Sequence, residues 1–201
     1  MMTNITVLLI GGSSGVGKTT IATQLAPRLG MTWSSADDVR LVLERMTTPE
    51  QQPALHFFFH QLAQLAPDAL AQHYQAVATI VSYALEIVVA NHVATAAPLL
   101  LEGDTITPAM AAQRQFANLD VAERVRTVFV VEADETLIVH NMLERGRGMP
   151  QLSREYSARM ARFSWLHGQW LQHEALRYGL PVIAARPREN VIDRILATLS
   201  Q

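Results

Sequence analysis

The chain has no cysteine and one lysine among its 201 residues. The first absence excludes disulfides, thiolate metal sites and a cysteine nucleophile, and it fits a reducing compartment. The second is sharper, because arginine is plentiful: of 16 basic residues, all but Lys18 are Arg. An excess of positive charge is also missing. A formal net charge of −2 and a pI near 6.4 leave no basic field to attract nucleic acid. Two apolar runs invite a membrane reading and do not support it. Residues 5–10 (ITVLLI) have no basic segment before them and run into glycine, as a buried strand does and a signal peptide does not. Residues 87–101 carry no charge but contain Asn91, His92 and Pro98, and are too short to cross a bilayer comfortably. There is no internal repeat and no low-complexity linker. These absences predict one soluble, cytoplasmic domain, residues 1–201, that uses neither nucleic acid nor membrane as a partner and is a monomer or homodimer.

What is present is an alternation. Apolar, β-rich segments at 5–10, 31–34, 98–101, 126–132 and 180–184 alternate with helical stretches at 18–29, 37–46, 54–66, 68–96, 108–118, 134–145, 153–178 and 189–199. Gly30 stands where a C-cap glycine belongs, Asp68 is placed to cap the fourth helix, and Asp134 the sixth. The strand segments are continuous apolar runs rather than alternating ones. That pattern predicts an α/β fold with a five-stranded parallel sheet covered on both faces. The helical insert at 47–97 is longer than a crossover requires, and in an enzyme it is a natural place for a substrate site.

The lone lysine sits in Gly12-Ser13-Ser14-Gly15-Val16-Gly17-Lys18-Thr19, a full match to G-x-x-x-x-G-K-[ST] between a strand and a helix. The glycines let backbone N–H groups turn inward around an anion, and the helix that opens at Lys18 and continues through Thr20 adds its positive end. The ammonium reaches the β- and γ-phosphates of a nucleotide, and the Thr19 hydroxyl ligates Mg²⁺. Arg replaces Lys cheaply on a solvated surface but not where a compact charge must fit beneath a phosphate. A chain with so strong an Arg bias therefore keeps its one Lys here.

The segments GGSSGVGKTTIATQLAPRLG, SSADDVR and PLLLEGDTITP resemble the P-loop small-molecule kinases, most of all the 2-phosphoglycerate kinase group. Gluconate kinases, chloramphenicol phosphotransferases and the zeta toxins are similar but more distant. The match is carried by the first 45 residues and by 99–108. The resemblance implies a three-layer αβα P-loop fold with a lid at 145–159, ATP and Mg²⁺ as cofactors, and phosphoryl transfer to a small-molecule acceptor, a phosphoglycerate-like hydroxy acid among the candidates.

The residues agree with such a reaction. Asp37 and Asp38 follow the second strand, beside the phosphate loop, and a kinase needs a carboxylate to orient the acceptor hydroxyl and take its proton. By resemblance Asp37 is the base; Asp38 is the other candidate, or a helix cap. Arg40 is either a clamp for an anionic acceptor or a surface residue. Glu102 and Asp104 end an apolar strand, where P-loop enzymes hold the Mg²⁺ water shell, and Gly103 between them would let backbone approach the substrate. In the lid the resemblance assigns Arg145 and Arg147 to ATP, and less firmly Arg154 to the transferred group; Glu155 and Arg159 are spaced for an ordinary i,i+4 pair. Arg186, after the last strand, would lie against adenine. His56 and His60 are also i,i+4, but without a third ligand they do not make a metal site. The competing function is a nucleotide-switched regulatory ATPase. A GTPase is excluded in its usual form, because its guanine motif needs a second lysine.

Overall fold

In the computed structural model the described residues are 5–56, 65–144 and 154–200. In chain order the elements are β1 (Val7–Gly11), α1 (Lys18–Leu29), β2 (Thr32–Ser35), α2 (Ala36–Met46), α3 (Pro67–Ala94), β3 (Leu99–Gly103) and α4 (Pro108–Ala111). There follow β4 (Gln115–Phe116), β5 (Leu119–Asp120), β6 (Val125–Val131), α5 (Glu135–Glu144), α6 (Arg154–Arg177), β7 (Val182–Ala184) and α7 (Val191–Leu199).

Five of the strands form one sheet in the order β2-β3-β1-β6-β7, and every pairing in it is parallel. Successive side chains of a strand point to opposite faces, so an uninterrupted apolar strand supplies two cores. Val7 and Leu9 of β1, with Leu99 and Leu101 of β3, join a core built with α3 and α6. Leu8, Ile10 and Leu100 join the opposite core, where Ile21 and Leu25 of α1 meet Ile192 and Ile195 of α7. The result is the expected three-layer arrangement.

α3 is long and apolar enough to cross a membrane by length and composition. One face of it, through Leu70, Tyr74, Val77, Val81, Leu85 and Val89, is buried in the first core. Its start differs from the expectation. Pro67 occupies the first turn, with Ala66 as the cap residue and Asp68 inside the helix. Proline lacks only an N–H that no helix start can satisfy internally, so it opens this helix rather than breaking it.

The helix expected over 108–118 is the clearest correction. It stops at Ala111, and the remainder folds into the β4–β5 hairpin. Ala117 and Asn118 both have positive φ, 46° and 66°, as a two-residue type I′ turn requires. Phe116 is fully buried beside α3, and burial of that ring outweighs local helix preference.

The register sets the site. Gly11 pairs with Gly103, and Ser35 pairs with Glu102. The carboxyl ends of β1, β2 and β3 thus finish side by side, at the edge where parallel sheets bind ligands.

Candidate active site

The phosphate loop leaves β1 and opens α1. Gly12, Gly15 and Gly17 have φ of 147°, 86° and 100°, which turns the loop around its own centre. The Lys18 ammonium is buried and donates to the Ser13 carbonyl at 2.9 Å. Thr19 Oγ1 donates to Glu102 Oε1 at 2.9 Å, joining the loop to the end of β3. The helices on either side of 145–153 hold the loop as well. Asn141 of α5 donates to the Gly15 carbonyl at 2.8 Å, and Ser164 of α6 donates to the Ser14 carbonyl at 2.5 Å. α6 comes so close at Gly168 that a Cβ there would sit 2.8 Å from Ser13 Oγ.

Two hollows meet at the loop. One, of about 290 Å³, is lined by Gly15, Val16, Gly17, Thr20, Asn141 and Arg188, among others. Arg188 donates to Asn141 Oδ1. Arg186 is not among the residues that line this hollow; its Nε donates to the buried Glu132 at 3.1 Å. The other hollow, of about 250 Å³, brings together Ser14, Lys18 and Thr19 with Trp33, Asp37, Asp38, Glu102 and Asp104.

The carboxylates in this second hollow are not alike. Asp104 is buried. Its Oδ2 accepts from Ser14 Oγ at 2.9 Å and its Oδ1 from the Tyr74 hydroxyl at 2.8 Å. Burial works to raise its pKa, but Lys18 and these two hydrogen bonds outweigh it and hold the carboxyl below its ordinary value. Tyr74, itself buried and beside Asp104, is pushed well above the usual tyrosine range and stays a phenol donor. Asp37, by contrast, keeps 55% of its side chain exposed and is 3.6 Å from Arg40 Nε. The walls of the cleft and the Asp104 charge raise its pKa, and the attraction of Arg40 and Lys18 does not cancel them. A raised carboxylate that faces open space is a better proton acceptor than an ordinary one.

Arg40 is mostly buried and pairs with both Asp37 and Glu44 along α2. Gly103 has a structural reason to be glycine: a Cβ there would fall 2.4 Å from Ala36 Cβ. Arg145 and Arg147, with most of the expected lid, lie outside the described residues; Arg154 opens α6. Arg159 and Glu155 make no ion pair among the described residues, and Nε and Nη2 of Arg159 are buried without a hydrogen-bond partner. His60 lies outside the described residues, and His56 Nε2 is 3.1 Å from Thr47 Oγ1.

Tyr74, Asn141, Ser164, His167 and Arg188 were not singled out from the sequence. The one signal available was spacing. Ser164, His167 and Gly168 share a face of a single helix, where polar and small residues stand in place of apolar ones. His167 is buried, and burial lowers its pKa. Its Nε2 lies 2.9 Å from the Asp104 carbonyl, which can only accept, so Nε2 carries the proton.

The donor set fits Mg²⁺. Thr19 and Glu102 offer adjacent hard oxygens, and no group of three or more His, Asp or Glu is available as a metal cage among the described residues. Mg²⁺ beside a nucleotide takes one or two protein oxygens and fills its shell with phosphate and water.

No protein-family model matches the chain. Similarity to 2-phosphoglycerate kinases runs along almost its whole length. The one from Thermococcus kodakarensis is 29% identical over 198 residues, which span 96% of this chain and 65% of that protein. The one from Methanothermobacter thermautotrophicus is 26% identical over 207 residues, 97% of this chain and 65% of that protein. The chain thus spans less than two thirds of the length of these relatives. Among solved structures, shikimate kinase from Acinetobacter baumannii in complex with shikimate superposes with a TM-score of 0.52 at 16% identity, covering 99% of this chain and 94% of that one. Deoxyadenosine kinase from M. mycoides with bound dATP gives 0.51 at 13% identity, covering 97% and 100%. At such identities the likeness is one of fold: the chain has the α/β architecture of these kinases.

Proposed function

We propose that the chain is an ATP-dependent kinase that transfers the γ-phosphoryl group to a hydroxyl of a small molecule, with Mg²⁺. The observation that carries this reading is the second hollow. It places Lys18, Thr19 and Glu102, which suit a Mg-nucleotide, within one cleft of Asp37, a carboxylate suited to an acceptor hydroxyl.

Each residue then has a task. The loop N–H groups and Lys18 hold the phosphates, and Asn141 and Arg188 flank the cavity for the nucleobase. Thr19 and Glu102 would hold the metal, which supplies charge neutralisation at the phosphates when bound. Asp37 orients the acceptor hydroxyl and takes its proton, with Asp38 beside it. Arg40, paired with Asp37 and Glu44 along α2, and Arg159, whose Nε and Nη2 are buried without a hydrogen-bond partner among the described residues, are the cations proposed to meet negative charge on acceptor or phosphate. Arg145, Arg147 and Arg154 complete the phosphate side on this reading. Catalysis rests on positioning and electrostatics, since phosphoryl transfer asks little covalent chemistry of the protein.

2-Phosphoglycerate is the first acceptor to test, because the relatives above carry that activity in their names. The chain is read as a cytoplasmic protein acting on a small molecule, without nucleic acid or membrane. The test is ADP formation from Mg·ATP with and without 2-phosphoglycerate and other hydroxy acids, sugars and nucleosides. Acceptor-dependent ADP that disappears in Lys18→Ala supports the reading. Nucleotide turnover indifferent to every acceptor contradicts it.

A further inference from the structure

Asp104 is the point where three parts of the molecule join. Its carboxylate receives Ser14 from the phosphate loop and Tyr74 from α3, and its carbonyl receives His167 from α6. The Tyr74 ring is held edge-on against Phe163 at 5.4 Å and His167 at 5.0 Å, with its hydroxyl on Asp104. Ser14 is gripped twice, at its hydroxyl by Asp104 and at its carbonyl by Ser164. Thr19 turns to the other carboxylate, Glu102.

We propose that Asp104 is a positioning residue of the nucleotide site and not a ligand of the metal. This rests on the reading of the loop as an ATP site. Both of its oxygens accept from hydroxyl donors, and a metal binding in place of either would displace one of them, Tyr74's from a buried position. The Asp104 clasp fixes the Ser14 side chain, and with Ser164 it fixes the crest of the loop whose N–H groups meet the phosphates. It also ties that crest to α3, in the insert that borders the acceptor side. Glu102 alone of the two carboxylates then serves the metal.

The two roles separate in binding measurements that need no turnover. The affinity of the whole chain for ATP is measured by calorimetry, once in EDTA and once in excess Mg²⁺, and the ratio of the two is the metal's contribution. Glu102→Gln removes most of that ratio. Asp104→Asn and Ser14→Ala each weaken ATP by roughly 3- to 10-fold in both buffers, the scale of one charge-assisted hydrogen bond, and leave the ratio within about twofold. The double variant loses little beyond either single one, because both remove the same clasp. Tyr74→Phe keeps the ring packing and loses affinity in both buffers by a smaller factor. If Asp104→Asn fails to fold, Ser14→Ala and Tyr74→Phe carry the test, since each leaves the carboxylate in place. The proposal is overturned if Asp104→Asn cancels the Mg²⁺ contribution as Glu102→Gln does. It is equally overturned if Ser14→Ala and Tyr74→Phe leave ATP affinity unchanged. No ATP binding by the unaltered chain would instead sink the nucleotide reading itself.

Discussion

On the proposed reading, the nucleotide side and the acceptor side of the site are built in opposite ways. Around the phosphate loop, Lys18, Glu102 and Asp104 are buried and each already has a hydrogen-bond partner. On the acceptor side, Asp37 keeps half of its side chain in solvent, and partial burial against the cleft walls together with the nearby Asp104 charge raises its pKa. The first region is held by the ends of β1 and β3 and by helices α5 and α6. The second rests on the first turn of one short helix. A nucleotide brings the same phosphates every time and rewards a fixed cradle, whereas the reacting carboxylate must stay exposed and basic to meet a hydroxyl.

The contrast can be broken in several places. The largest effect should come from Lys18→Ala. We expect a fall in kcat/KM of about 10³-fold or more with an unchanged melting temperature, since removing one charge-stabilising donor commonly costs that much. A variant that keeps a tenth of the activity would show that the fixed cradle is not what matters. Asp37→Asn should lower kcat by roughly 10²- to 10⁴-fold while ATP affinity stays within about twofold. An equal loss in ATP binding would erase the division between the two sides.

Gly103→Ala tests the joint between them. Its new methyl meets Ala36 Cβ, and overpacking of this kind costs about 1–3 kcal/mol; chemical denaturation should show it, and full stability would mean β3 and α2 can separate freely. Arg188→Ala should raise the KM for ATP about 5-fold at constant kcat, consistent with losing one wall of the base cavity. A change in kcat alone would place Arg188 elsewhere in the reaction.

The smallest effect concerns pH. Because folding raises the pKa of Asp37, its ionised form opposes folding. That cost is present above the folded-state pKa and vanishes as pH falls below the unfolded value. Asp37→Asn should therefore melt slightly higher than the unaltered chain at pH 7, by on the order of 1 °C, and lose the advantage near pH 3. A lower melting temperature at pH 7 would show that the pairing with Arg40 dominates.

Much of this was legible in the sequence because burial on both faces leaves a plain signature. Four of the five strand segments are dominated by apolar residues, the edge segment 31–34 is not, and each one contributes a strand of the sheet. The loop was legible because its chemistry demands particular residue types at fixed spacing. Position within a helix was less legible. Tyr74 and His167 stand far from Asp104 in sequence, and only the fold brings them to it. Arg186 and Arg188 flank one proline, and nothing in their order says which lines the hollow beside Gly15–Gly17. Residues 112–118 lost their expected helix to the burial of Phe116. Residues 145–153 of the expected lid, with Arg145 and Arg147, lie outside the described residues, and their role stands as proposed.

If one cleft joins a nucleotide to an acceptor hydroxyl through Asp37, ADP release from Mg·ATP, followed across phosphoglycerates, hydroxy acids, sugars, nucleosides and nucleoside monophosphates with Asp37→Asn in parallel, should be stimulated by one acceptor class and lost in the variant while ATP still binds. Stimulated release that survives in Asp37→Asn, or ATP binding that no acceptor converts to ADP release, would contradict that reading.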